Sequence, residues 1–259
     1  MNIKKKFINR NIQDFDPSYE YWNDEDIEKK KLFYDIDALE QSDEQQFFIQ
    51  EINQLISQED RDIDSFLSVC CGNMWIEANA FKNKKLRNFV GIDYSQHRVH
   101  KLAEKSIEHL NVSSKVELIC GNILEYETDI KFDLIYLSKA FHHIESPIVL
   151  LRKLKELLSR DGKIIICGEH YYGSFIYLKR LIKHFIKYVI IKDYRKIRSF
   201  LPEYGMLFPY SLEKGDIHYS LYNYHYFFKK MNFNYTHNIH KERGFQTFIL
   251  THKTTNDEG

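Results

Sequence analysis

No run of this sequence approaches the roughly 20 consecutive apolar residues that a membrane-spanning helix needs, so no stable membrane insertion is expected. Net charge is also missing. The 37 basic residues balance 37 acidic ones, which removes any global electrostatic case for nucleic acid or a lipid surface. The stretch after Met1 is polar and lysine-containing with no apolar core, unlike a secretory signal, and the chain is read as cytoplasmic. Cysteine is scarce: Cys70, Cys71, Cys120 and Cys167 are the four present. Their spacing fits neither a zinc site nor a disulfide framework, and buried free thiols in a reducing compartment account for them. No cluster of metal-ligating residue types supports a bound metal, and there is no internal repeat.

The 259 residues, 43% hydrophobic and 29% charged, suffice for one α/β domain with a cap or for two small domains. Tyrosine (18) and phenylalanine (19) are abundant, with many after residue 170. Either they line a pocket or they reflect a genome with biased codon usage. Residues 1–64 are polar and acidic with scattered aromatic anchors, among them Tyr19 and Trp22. Within them, Phe47, Phe48, Ile52, Leu55 and Ile56 are spaced as one face of a helix over 43–58.

From Ser65 the pattern changes. Short, nearly continuous apolar runs at 65–71, 88–93, 115–120, 132–138 and 163–168 alternate with amphipathic stretches at about 74–84, 96–110 and 147–159. Such runs are strands buried on both faces, and the alternation predicts a doubly wound parallel sheet. Residues 170–218 break the rhythm with a helical stretch (174–191) and a Pro- and Gly-punctuated loop. A helix at about 219–231 then leads to strands at 233–239 and 245–252, joined around Arg243-Gly244 as an antiparallel hairpin. The expected fold is therefore α/β, Rossmann-like, with seven strands, a C-terminal hairpin and a helical insertion after the fifth strand. It divides into an N-terminal helical cap (1–64), a core (65–169), the insertion (170–218) and a closing helix with hairpin (219–259).

In an open α/β sheet the ligand sits beyond the carboxyl ends of the strands at the switch point. Four segments fall there. Ser68 to Met74 (SVCCGNM) turns tightly after the first strand, with Gly72 as the point of closest backbone approach. Asp93, in Gly91-Ile92-Asp93-Tyr94-Ser95, ends the second strand about 20 residues on, where a carboxylate can accept from both hydroxyls of a ribose or cap a helix. Tyr94 could stack on an adenine, Asn122 could pair with its edge and Ile123 could cover its face, although Gly121-Asn122 is also an ordinary turn. After Ser138 come His142 and His143, with His170 after the fifth strand; each is a candidate base, and packing or capping is the alternative role for at least one.

Residues 65–169 resemble the core of the class I S-adenosylmethionine (SAM)-dependent methyltransferases, in particular the broad small-molecule group. The resemblance rests on the GxD at 91–93 and on the block FDLIYLSKAFHHIESPIVLLRKLKELLSRDGKIII, and covers the flanks by architecture only. It implies SAM as cofactor, bound by Cys70, Cys71, Gly72, Asn73, Met74, Asp93, Tyr94, Asn122, Ile123 and Ser138. It also implies methyl transfer to a small-molecule acceptor, with His142, His143 and His170 as catalytic candidates. The chain departs from the family's acidic-x-Gly-x-Gly-x-Gly loop at Ser68, Cys70 and Met74, and has Asn122 where an aspartate is usual. Cys70-Cys71-Gly72 is similar to the form in some quinone-pathway methyltransferases. Tyr19, Trp22, Tyr171, Tyr172, His218 and Tyr219 are candidates for binding the acceptor. An oxygen of a sugar or phosphorylated intermediate, in surface-polysaccharide biosynthesis, is the expected target. The alternative is a non-catalytic scaffold or partner subunit that keeps the fold.

The basic stretch 179–198 has three competing readings: a solvated helix face, a site for a phosphorylated or nucleotide-linked substrate, or contact with an anionic membrane or a partner protein. A nicotinamide dehydrogenase is excluded by the missing Gly-x-Gly-x-x-Gly. Nucleic-acid methylation is disfavoured by neutral charge and by Ser138-Lys139-Ala140-Phe141, which replaces an Asn/Asp-Pro-Pro-aromatic motif. The oligomeric state is left open.

Overall fold

The computed structural model describes residues 3–8, 35–59, 61–144, 146–192, 210–211, 216–217 and 219–253. Tyr19, Trp22 and His218, and residues 193–198 of the basic stretch, lie outside them. The strands are β1 (Ile3–Phe7), β2 (Ser65–Val69), β3 (Asn88–Asp93), β4 (Val116–Cys120), β5 (Phe132–Ser138), β6 (Leu158–His170), β7 (Tyr210–Ser211), β8 (Asp216–Ile217), β9 (Phe233–His240) and β10 (Phe245–His252). The α-helices are α1 (Ile36–Gln41), α2 (Asp43–Ser57), α3 (Trp75–Phe81), α4 (Ala103–His109), α5 (Pro147–Leu157), α6 (Ser174–Ile190) and α7 (Leu221–Lys230).

The main sheet runs β1-β4-β3-β2-β5-β6-β10-β9, with β7 and β8 forming a separate two-stranded ladder. Eight strands replace the expected seven, and β1 is the addition. It pairs parallel with β4, Ile3 opposite Val116 and Phe7 opposite Cys120. Its sequence, IKKKF, is mostly exposed, as suits an edge strand blunted by lysine. Lys4 and Lys6 both pair with Glu117 of β4, and that carboxylate raises the Lys6 pKa.

The chain clusters into two compact units: Met1–Ser138 with Lys153–Ile165, and Lys139–Arg152 with Ile166–Gly259. In the first unit β2 lies between β3 and β5, parallel to both, with Leu67 opposite Val90 and Ile135. The carboxyl ends of these strands define the switch point. Every residue of β2 is buried, which explains a run without polar alternation. Helix α2 is capped by Ser42, whose Oγ accepts from Gln45 N–H at 3.3 Å, and it buries Phe48, Ile49, Ile52 and Ile56. Asp133, the aspartate of the FDLI block, sits at the opposite end of the sheet from the switch point. Its Oδ2 accepts from Asp64 and Ser65 N–H at 3.1 and 3.0 Å, and Arg61 pairs with its Oδ1 at 3.3 Å. It fixes the entry into β2 and belongs to the scaffold.

The second unit holds the antiparallel β9–β10 ladder, Phe233 opposite His252 and His240 opposite Phe245. Helix α7 starts in a full capping box between Ser220 and Asn223. Tyr224, Phe227, Phe228 and Phe248 are buried in this unit.

Candidate active site

In the first unit, three residues of the turn after β2 have left-handed backbone: Cys70 (φ 53°), Gly72 (φ 53°) and Met74 (φ 52°). These are the three positions at which the resembled loop carries glycine. The turn thus adopts glycine-type backbone at all three positions, although two of them are not glycine. A left-handed non-glycine residue costs on the order of 1 kcal/mol, and the turn is held against that strain by hydrogen bonds. Cys71 N–H donates to Ile92 O at 3.0 Å and Met74 N–H to Cys71 O at 2.9 Å. Gly72 N–H donates to Asp93 Oδ2 at 2.8 Å, and Trp75 N–H to Asn73 Oδ1 at 3.1 Å.

Met74 is fully buried. A Cβ built on Gly91 of β3 would overlap Met74 Sδ and lie 3.1 Å from Cys71 Sγ. The thioether therefore fills the space that Gly91 vacates. Gly91→Ala is expected to cost about 1–3 kcal/mol through overpacking, read as a lower denaturation midpoint, and Met74→Ala in the same chain should recover part of the loss.

Asp93 does two jobs. Its Oδ2 ties the end of β3 to the Gly72 turn, and its Oδ1 accepts from Ser95 N–H at 2.8 Å. The cap weighed from sequence for Asp93-Tyr94-Ser95 falls to Ser95, whose Oγ accepts from Arg98 N–H at 3.2 Å; each Asp93 oxygen is engaged once in these contacts, and a carboxylate oxygen offers two lone pairs. The Tyr94 carbonyl accepts from the Cys120 thiol at 3.4 Å. Burial and the Asp93 charge push Cys120 up to about 11. Burial, then Asp93 and Glu77, push Cys71 well above the ordinary thiol value. Both stay protonated at neutral pH, and all four cysteines are free. Asn122 Oδ1 accepts from Leu124 N–H at 2.9 Å, capping a short turn in which Ile123 is buried. Gly121 makes room for the incoming chain, since a Cβ there would lie 2.9 Å from Ile8 O. Ser138 ends β5, half-buried.

Two residues of this unit escaped the sequence reading. A Cβ on Gly72 would lie 3.6 Å from Arg98 Nη1, so a guanidinium stands beside the turn. Glu77, in the first turn of α3, is buried, and its Oε1 accepts from Ser68 Oγ at 2.5 Å. A carboxyl group from the helix thereby reaches the strand position at which the resembled family carries its own acid. Burial raises Glu77 to about 7 against the Ser68 hydrogen bond.

The folded-state pKa of Glu77 exceeds its unfolded value of 4.5, so the native state binds the extra proton between those values. Its contribution is neutral below pH 4.5 and increasingly destabilising up to about pH 7. Glu77→Gln keeps an acceptor for Ser68 and should remove that decline. By pH-dependent urea unfolding, the variant should exceed the parent by about 3 kcal/mol at pH 8 and match it near pH 4.

The second unit is organised around Glu169, near the end of β6 and completely buried. Its Oε1 accepts from Phe141 N–H at 3.0 Å. Its Oε2 accepts from Tyr224 OH at 2.8 Å and meets His142 Nδ1 at 3.1 Å. Burial pushes the Glu169 pKa up, but the His142 charge and hydrogen bond, followed by the Tyr224 hydrogen bond, overcome it and hold the carboxyl below its usual range. A carboxylate only accepts, so Nδ1 of His142 carries the proton of this bond. The His142 ring stands 4.2 Å from that of His143 and 4.9 Å from that of His170. The three histidines singled out from sequence are thus brought together. Burial and the nearby Glu169 charge push the Tyr224 hydroxyl well above its ordinary pKa.

Of the acceptor candidates, Tyr172 stacks on His170 at 5.9 Å and lies under the Arg180 guanidinium at 4.1 Å. Tyr171 is half-buried and donates its N–H to Gly244 O at 2.8 Å. Tyr219 is buried, its hydroxyl donating to Ile144 O at 2.5 Å, which gives it a packing role. Glu169 and Tyr224 were not foreseen; a lone acid inside the apolar run KIIICGEH was the available signal for the first. Among the described residues no group of three His, Cys, Asp or Glu side chains could hold a metal ion, and no helix is long and apolar enough to cross a membrane.

Residues 67–164 match the family model described as a methyltransferase domain. No curated protein matches the chain. Among solved structures it is similar to magnesium protoporphyrin IX methyltransferase from Synechocystis PCC 6803 with bound SAH (TM-score 0.60, 12% identity, 91% of this chain and 98% of that one). It is also similar to a S-adenosylmethionine-dependent methyltransferase from Clostridium acetobutylicum (TM-score 0.57, 12% identity, 88% and 98%). A third likeness is to mitomycin 7-O-methyltransferase (TM-score 0.58, 11% identity, 91% and 60%), about 60% of whose length this chain spans. At such identities the likeness concerns the fold. The domain match covers residues 67–164, and the structural likeness shows the fold, which is that of SAM-dependent methyltransferases and makes SAM the expected cofactor. The residues fit that group: the turn keeps its glycine-type backbone, and the Asp93 carboxylate is half-buried with acceptor capacity left.

Proposed function

We propose that the protein transfers a methyl group from SAM to an oxygen of a small-molecule acceptor, with His142 as the base. The Glu169–His142 pair carries this reading: a buried carboxylate that fixes one ring nitrogen as donor prepares the other to take a hydroxyl proton. SAM, when bound, supplies a methyl group already activated on a sulfonium. The backbone of Cys70, Cys71, Gly72, Asn73 and Met74 would cradle it, Asp93 would accept from its ribose, and Tyr94, Asn122, Ile123 and Ser138 would flank the remainder. A positioned base contributes roughly 10²–10⁴-fold, and alignment of the reactants in a water-excluding site supplies more.

The acceptor side is assigned to the insertion 170–218, with Tyr171 and Tyr172 beside His170. The Arg180–Tyr172 pair favours a hydroxylated or phosphorylated ligand, a sugar or sugar phosphate of cytoplasmic surface-polysaccharide assembly. A non-catalytic scaffold is the second reading, favoured by the cysteine and methionine at left-handed positions. Calorimetric titration with SAM and SAH separates the two, followed by transfer of labelled methyl to a panel of sugar phosphates and nucleotide sugars. Absence of binding by the intact protein would sink the enzymatic reading; binding followed by labelled sugar would sink the scaffold.

A further inference from the structure

Helix α6 spans 17 residues, about 26 Å at 1.5 Å per residue. Leu178, Ile182, Phe185 and Val189 recur at intervals of four, three and four, and so share one face; Phe175 and Ile186 flank it. All six are exposed, Phe175 to 79% and the other five between 45% and 52%. Isolated exposed apolar side chains are ordinary, but a continuous stripe of this length marks an interaction surface.

Charge selects the occupant. Lys179, Lys183 and Lys187 recur every four residues along one flank of the stripe, all exposed, and Lys192 follows the helix. No acidic residue occurs from 174 to 192, in a chain whose net charge is zero. The excess is local. A second copy of this helix would set lysine against lysine. An apolar stripe flanked by lysine on a helix too short to span is the pattern of helices that lie in a membrane interface.

We propose that α6 adsorbs to an anionic lipid bilayer, the stripe entering the headgroup boundary and the lysines facing lipid phosphates. This docking is independent of the methyl acceptor, and its test needs no turnover. The full-length protein is sedimented with vesicles of phosphatidylcholine alone and with vesicles containing phosphatidylglycerol as well. Binding is expected to the second set and to weaken as salt rises. Ile182→Glu with Phe185→Glu should abolish it. Lys183→Gln with Lys187→Gln should reduce partitioning about 25-fold, at roughly 5-fold per basic residue. Circular dichroism checks that each variant keeps its helical content. The proposal is overturned if the parent ignores phosphatidylglycerol vesicles, or if the double glutamate variant still binds them. It is equally overturned if light scattering finds a dimer that this variant dissociates while neither protein binds lipid, which would assign the face to a second copy. Capture of an acidic protein without vesicle binding would assign it to that partner.

Discussion

Glu169→Ala is expected to lower unfolding stability by about 3–5 kcal/mol, the usual loss when one member of a buried ionic pair is removed. Three groups lose their acceptor together: the Phe141 N–H, the Tyr224 hydroxyl and His142 Nδ1. None of the three parent residues is exposed, so each would carry an unmet desolvation penalty. Urea denaturation measures the effect, with Tyr224→Phe as a smaller reference of about 1 kcal/mol for one hydrogen bond. The pH dependence adds a sign. The folded-state pKa of Glu169 lies below its ordinary 4.5, so its stabilisation is present above that value and is lost as pH falls through the folded one. The alanine variant should lack that acid-side loss. If it unfolds within about 1 kcal/mol of the parent, the buried cluster is not a structural centre. Glu169→Gln keeps the shape, and a fall in kcat with an unchanged SAM Kd would identify Glu169 as positioning His142.

Asp93→Ala should reduce SAM affinity by about 10²–10⁴-fold, since two hydrogen bonds to a charged acceptor contribute about 1.5–3 kcal/mol each. Calorimetry on parent and variant reads it directly. The variant also leaves the Gly72 and Ser95 N–H groups without their carboxylate, so part of the loss will come through the turn. Asp93→Asn separates these contributions: the amide oxygen can still serve one backbone N–H, while the charge proposed to meet the ribose is gone. Equal SAM affinity in parent and Asp93→Ala would remove this residue from the cofactor site.

Much of this was legible in the sequence because burial on both faces leaves a plain signature. The apolar runs at 88–93 and 132–138 coincide with β3 and β5, and the hairpin from 233 to 252 is set by alternation and a Gly-containing turn. Strand β1 was not legible, since IKKKF has the composition of a solvated tail and becomes a strand only through β4 and Glu117. The histidine cluster was visible as three residues, but its organiser was not. Glu169 resembles a strand-ending acid until Phe141, His142 and Tyr224 converge on it, and Tyr224 is 55 residues away along the chain. The loop was read as diverged because side chains differ at 70 and 74; the backbone angles, which sequence does not display, lie in the left-handed region that favours glycine.

The two buried carboxyl groups respond to protons in opposite senses. Glu169 steadies the unit that contains it once the medium rises above pH 4.5, whereas Glu77 burdens the other unit progressively toward pH 7. Acidification therefore loosens the histidine-bearing half of the chain while relaxing the half that carries the glycine turn. The two groups thus bend the pH dependence of stability in separate windows, Glu169 on its acid limb and Glu77 between pH 4.5 and about pH 7.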